Sequence, residues 1–283
     1  APLASAFKYS DYDKGDADIS VSGLVEPVRL HALKERHDAE IVEDVSEGIW
    51  RLIGSIGHKI VERSDTDNHL SEERLYHRRL HGWTISGKAD LLGPDMVLDD
   101  FKFTSVYAMK GLKPEWEQQL NLYALMYRMH RFPVKAVRII AVLRDWSKLR
   151  AKREQDYPPV GVVVKQIPLW SVEEQDAFLG DRVRAHQRAQ KLADDDLPMC
   201  TDEERWKKPD IWAVKKKGNK RALPGGLHLT SESANAWAAM SGSQVEIEYR
   251  PGSYPRCESY CSVKNFCSFG KTLNPAVSEE EAA

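Results

Sequence analysis

Cysteine is scarce: only 4 of the 283 residues, all in the last third of the chain. That scarcity excludes a secreted disulfide scaffold. No apolar run approaches the roughly 18 residues that a membrane helix requires. No apolar signal-peptide core follows Ala1, so a cytoplasmic protein without membrane partners is expected. Internal repeats are missing, which excludes a repeat architecture. An excess of one charge is missing too. Against 41 Lys and Arg stand 43 Asp and Glu, a formal net charge of −2, so the chain as a whole is not a polycation built for nucleic acid. At 42% apolar and 30% charged residues, the composition is that of an ordinary globular protein, long enough for one large domain or a core with an appendage.

The informative stretch runs from Ser86 to Tyr123. Two apolar runs, Ile85 to Leu92 and Met96 to Phe103, flank Gly93-Pro94-Asp95, which predicts a hairpin. Asp90 closes the first strand. Asp100 and Lys102 stand two apart near the end of the second, so their side chains leave one face while Asp99 points to the other. Two carboxylates gathered this way repel, and a divalent cation removes the penalty. Asp90 and Asp100 offer oxygen to a hard Mg2+ or Mn2+, and Lys102 is placed to orient or deprotonate a water attacking a phosphodiester. A surface hairpin with solvated charges is the plainer reading of the same spacing.

Upstream, Val42 to Arg63 has helical spacing, with His58 beside its apolar stripe. Downstream, Pro114 opens a helix over Glu115 to Met129 that carries Gln119 and Tyr123 on one face. Gly87-x-x-Asp90, Asp100-x-Lys102, Gln119-x-x-x-Tyr123 and the earlier His58 occur in the order typical of one group of enzymes. The chain resembles the PD-(D/E)XK nuclease superfamily, and within it the RecB-like branch, over roughly residues 45 to 170. The resemblance implies a restriction-endonuclease-like α/β core: a central mixed β-sheet flanked by helices, with the carboxylates where the sheet splays open. It implies that His58 joins Asp90 and Asp100 on the metal, with the Phe101 carbonyl as a further ligand. Glu72 or Glu73 would supply an acidic position nearby, and Gln119 and Tyr123 would line the site. The implied activity is a metal-dependent deoxyribonuclease, an exonuclease more than an endonuclease, acting on DNA that is single-stranded or has a free end. Its rival is a nuclease fold that has lost its chemistry and only binds nucleic acid or a partner.

The remaining elements follow in order. Ser22 to His37 reads as a first helix with Pro27 in its first turns. Glu73 to Arg79 and Trp83 to Leu92 read as strands. Val134 to Leu143 and Val160 to Leu169 read as buried strands, with a basic loop or hairpin tip between them containing Arg144, Lys148, Arg150, Lys152 and Arg153. Ser171 caps a helix running to about Leu192. Residues 205 to 221 hold eight Lys and Arg against one Asp, with Trp206 and Trp212 among them. Together with the basic residues of Arg144 to Arg153, such a mixture suits a single-strand groove, and equally a solvated loop with two core tryptophans.

Cys200 and the group Cys257-x3-Cys261-x5-Cys267 suit a metal better than disulfides in an intracellular chain. By chemistry alone, tetrahedral zinc and a [4Fe–4S] cluster serve four thiolates about equally. The resemblance tilts toward iron–sulfur, since several RecB-like nucleases pin their C-terminal segment with such a cluster. This chain departs from that pattern in the x3 spacing and in Cys200 following the core. The expected organisation is a lead-in and helix over 1–40, a nuclease core over 41–195, a basic cysteine-bearing segment over 196–272 and an acidic tail over 273–283.

Overall fold

The computed structural model describes residues 15–42, 45–62, 69–242 and 244–273. These divide into two compact units, one drawn from residues 15–32 and 42–192, the other from 33–41 and 193–273. The first fourteen residues and the acidic tail lie outside the described residues.

The first unit opens with β1 (Ile19–Ser20), whose Ser20 side chain caps α1 (Val21–Val25) by accepting from the Gly23 amide. Then α2 (Val28–His37) starts in this unit and α3 (Val45–Glu62) follows. The strands are β2 (Leu70–Ser71), β3 (Arg74–Leu80), β4 (Trp83–Lys88), β5 (Leu91–Leu92), β6 (Val97–Thr104), β7 (Ala136–Leu143) and β8 (Val162–Ile167). Between them lie α4 (Pro114–Met129) and the short α5 (Lys148–Arg153), and α6 (Val172–Ala189) closes the unit. A five-stranded sheet runs in the order β2-β5-β6-β7-β8, with β6 and β7 parallel and the other pairs antiparallel. The architecture is thus α/β, a central mixed sheet flanked by helices, consistent with a restriction-endonuclease-like fold.

The core helix is α4. Leu120 and Leu122 to Tyr127 are all buried, which an amphipathic surface helix would not tolerate. Its wholly buried Asn121 is saturated: the amide donates to the Glu117 and Pro168 carbonyls, and its oxygen accepts from the Trp170 amide and Gln175. A polar group at that depth is stable only because every site has a partner. Gly87 lets α4 approach β4 closely; a Cβ there would stand 2.5 Å from the Met126 sulfur and 3.2 Å from Tyr123.

Four expectations need correction. The predicted hairpin is not one hairpin. Its first strand breaks at Ala89–Asp90, so that β4 belongs to a separate sheet of order β1-β4-β3 and only the two-residue β5 pairs with β6. The first helix breaks at Glu26, which is extended (ψ 147°), because a residue before proline is pushed out of the helical region. β8 is the last strand of its sheet among the described residues and exposes one face, with Val164 55% exposed, because alternate side chains there are left uncovered. The basic linker contains α5, N-capped by Ser147. The helix cap at Ser171 is observed, as a reciprocal capping box with Glu174.

The second unit holds an antiparallel sheet of order β10-β9-β11, made of β9 (Ile211–Lys216), β10 (Ala222–His228) and β11 (Val245–Arg250). α7 (Ser231–Met240) packs against these strands, and α8 (Ser268–Leu273) follows the cysteines. Asp194 is gripped by His37 Nε2 at 2.8 Å and Arg36 at 2.6 Å, while the His37 ring stacks on Phe266 at 4.2 Å. Among the described residues no helix is long and apolar enough to cross a membrane.

Candidate active site

The break between β4 and β5 creates the site. Because β5 ends after two residues, the Phe101 amide on β6 has no strand partner on that side. Asp90, the residue at the break, supplies one: its Oδ2 accepts from Phe101 N at 2.6 Å. A half-buried amide also seeks a partner, and here the bond fixes a carboxylate. Phe101 enters the site through this amide.

Across from Asp90, Glu72 follows β2 with φ of 50°, a left-handed conformation that costs a non-glycine residue about 1 kcal/mol or more. Its amide donates to the Asp90 carbonyl at 3.1 Å, and its carboxylate is ion-paired with Lys88. Glu73 is exposed. His58 arrives from α3, which approaches β6 so closely that a Cβ on Gly57 would stand 2.1 Å from the Phe103 ring. His58 Nδ1 lies 3.3 Å from Asp90 Oδ1, and its ring meets Phe103 edge-on at 6.0 Å. The bond to Asp90 raises the His58 pKa against the opposing effect of burial. One ligand atom each from His58, Glu72 and Asp90 falls within 4.8 Å of the others.

Asp100 and Lys102 leave one face of β6, and Asp99 leaves the other, where Arg138 holds it with two bonds of 2.6 and 2.7 Å. Asp100 is 2% exposed. Burial pushes its carboxyl up to about 6, with Lys102 pulling back and Asp90 adding repulsion. Its Oδ2 makes no hydrogen bond among the described residues, only an ion pair with Lys102 Nζ at 2.6 Å. Lys102 is half-buried, and Asp100 and Asp90 outweigh its desolvation and raise its pKa, so without a metal the amine keeps its proton. Lys102 donates to Gln119 Oε1 at 3.4 Å, and Gln119 Nε2 reaches the Tyr123 hydroxyl at 3.1 Å and Ser22 Oγ at 3.3 Å. Burial raises the Tyr123 pKa well above the usual phenol range. The chain Asp100–Lys102–Gln119–Tyr123 is therefore continuous. Ser22, at its far end, has no signal in the sequence.

The donor set fits a divalent cation. An imidazole and two carboxylates within reach of one another are what Mg2+ or Mn2+ takes from protein, the imidazole suiting Mn2+ better. Asp100 stands beside the His58–Glu72–Asp90 group, engaged by Lys102.

In the second unit all four cysteines are thiols, none in a disulfide. Burial, then Glu204 and the three other cysteines, push Cys200 up to about 12. Cys257 and Cys261 are raised by burial first, and each feels Cys267. Cys200 thus feels the distant trio, but among the described residues no three of these sulfurs come within 4.8 Å of one another. Trp206 leans on Tyr260 at 5.5 Å with Arg256 over its ring, and Trp212 on Tyr249 at 5.1 Å. Lys216, Lys217, Lys220 and Arg221 are exposed around the β9–β10 turn.

No protein-family model matches the chain, and no curated protein matches it. Among solved structures, the crystal structure of SSO0001 is similar over 64% of this chain and 81% of its own, with a TM-score of 0.42 and 15% identity. That likeness is too loose to assign a fold or a function.

Proposed function

We propose that the protein is a metal-dependent nuclease that hydrolyses phosphodiester bonds in DNA, as a RecB-like exonuclease. The observation that carries this reading is the convergence of Asp90, Asp100 and Lys102 on neighbouring strand segments with His58 and Glu72 beside them. His58, Glu72, Asp90 and Asp100 are the residues to hold Mg2+ or Mn2+, which when bound lowers the pKa of a water and neutralises phosphate charge. Lys102 orients the attacking water or a phosphate oxygen, or takes the water's proton once the cation has offset the charges of Asp90 and Asp100. Gln119 fixes the Lys102 ammonium, and Tyr123 and Ser22 fix Gln119, so the ammonium cannot swing away. The exonuclease preference and the free-ended DNA substrate rest on the motif resemblance. The four cysteines, each half-buried, are the residues that would hold a [4Fe–4S] cluster or zinc to pin the C-terminal segment, since binding such a group is coupled to folding.

Labelled single- and double-stranded DNA incubated with Mg2+, Mn2+ or EDTA tests the reading. Cleavage should require the divalent ion and vanish in Asp100→Ala and Lys102→Ala, with the fold intact by circular dichroism. Full cleavage by either variant, or cleavage in EDTA, would end the assignment.

A further inference from the structure

We propose that residues 105–113 and α5 form a grip for single-stranded nucleic acid, with the Tyr107 ring as a stacking platform and the cations of α5 as partners for its phosphates. Strand β6, bearing Asp100 and Lys102, runs directly into this strap, which is a 3-10 helix over Val106–Lys110. Val106 and Ala108 are buried, yet Tyr107 between them is 77% exposed. The strap is anchored: the Val106 amide donates to Asp145 Oδ1 at 2.7 Å, and the Arg144 amide to the Thr104 carbonyl at 2.9 Å. It therefore lies beside α5, and Lys110 is near enough to Glu154 to favour its ionised form.

The cations here divide into two sets. Arg150 is already engaged, bound to Glu154 at 2.7 Å and resting 4.4 Å over the Tyr157 ring. Lys148, Lys152 and Arg153 are exposed and make no ion pair among the described residues. Lys110 Nζ sits 5.7 Å from the Tyr107 ring centre. An open aromatic face amid uncompensated cations suits a strand whose bases are unstacked and whose phosphates are negative. An acidic peptide would satisfy the lysines but leave the ring without a flat partner, and an intact duplex offers no free base face. The inference deepens the nuclease reading and rests on it only in naming the bound strand as the one cut. Binding itself needs neither metal nor Asp100.

The test is fluorescence anisotropy of the full chain with a short labelled oligo(dT) or a blunt duplex, in EDTA. Oligo(dT) should bind more tightly. Tyr107→Ala should weaken it by about 5- to 100-fold, the value of one base–aromatic stack, while Tyr107→Phe should bind as wild type. Lys148→Ser and Lys152→Ser should each flatten the log–log salt dependence by about 0.7, the slope that one neutralised phosphate contributes on a single strand. Equal oligo(dT) affinity for Tyr107→Ala and wild type would overturn the grip, as would a blunt duplex bound equally tightly. Wild type that binds no oligonucleotide would overturn it too, and would direct the patch to an acidic protein. Tyr107-dependent binding without any metal-dependent cleavage would sink the nuclease reading and leave the grip; cleavage with Tyr107-independent binding would do the reverse.

Discussion

Replacing Asp100 with Asn should stabilise the metal-free protein. The Asp100 carboxyl is pushed from an ordinary 3.8 to about 6, burial being the largest cause. Between those values the folded protein holds a proton that the unfolded chain has released. Stability therefore falls as pH rises through this window, and the whole cost is present above about pH 6. At 1.36 kcal/mol per pH unit the cost is about 3 kcal/mol. Asn has the same shape and no charge, so it removes that cost. The attraction of Lys102 is already contained in that value, but Asn is an imperfect stand-in for the carboxyl and returns part of the gain. The net expectation is a gain of about 1–3 kcal/mol, or roughly 2–10 °C in Tm for a protein of this size. The assay is thermal unfolding in EDTA at a pH well above 6 and again near 4. The Asn variant should melt higher in the first and level with wild type in the second. Added Mn2+ should narrow the gap by stabilising the wild type more, since a ligand that binds only the folded state raises Tm. An Asn variant no more stable than wild type at high pH, or more stable by the same margin at both, would refute the reasoning.

Three further outcomes are expected. Gly57→Ala should lose about 1–3 kcal/mol by overpacking against Phe103, although helix propensity alone favours Ala by about 1 kcal/mol; a higher urea midpoint would show that the ring yields freely. His186, buried, is lowered to about 4 by desolvation and then by the charges of His31 and Arg182. The unfolded chain thus takes up a proton that the folded one refuses. Stability should be intact above about pH 6.5 and fall by about 3 kcal/mol as pH drops toward 4, and His186→Gln should flatten that slope in urea titrations; a slope left unchanged would place the acid sensitivity elsewhere. Cys257→Ser should lower Tm before it changes DNA cleavage if the thiols hold a structural metal, and anaerobically purified wild type should carry stoichiometric iron or zinc by elemental analysis. A melting temperature indifferent to both the variant and strong chelators would exclude that role.

Much of the site was legible from local pattern. The two-residue period of β6 already put Asp100 and Lys102 on one face and Asp99 on the other, because side-chain alternation is a property of a single strand. Gln119 and Tyr123 share a face of α4 for the equally local reason of helical spacing, and Ser171 with Glu174 marks a helix start by hydrogen bonds spanning four residues. Other features lie beyond such patterns. Nothing in the apolar run Ile85 to Leu92 shows that it serves two sheets, since a strand's partner is chosen by long-range pairing. Yet that division is what frees the Phe101 amide to hold Asp90. The choice of Glu72 over Glu73 depends on a left-handed backbone turn, and Ser22 reaches Gln119 only because α1 packs on α4.

The amino-acid order by itself therefore determined which residues are candidates for the site and which face of its own element each one leaves, because period and capping act within a few residues. Only the tertiary structure decided which of those faces meet, what company each carboxylate keeps and which groups stay ionised. Those outcomes depend on burial and on the charges of chain segments far apart in sequence.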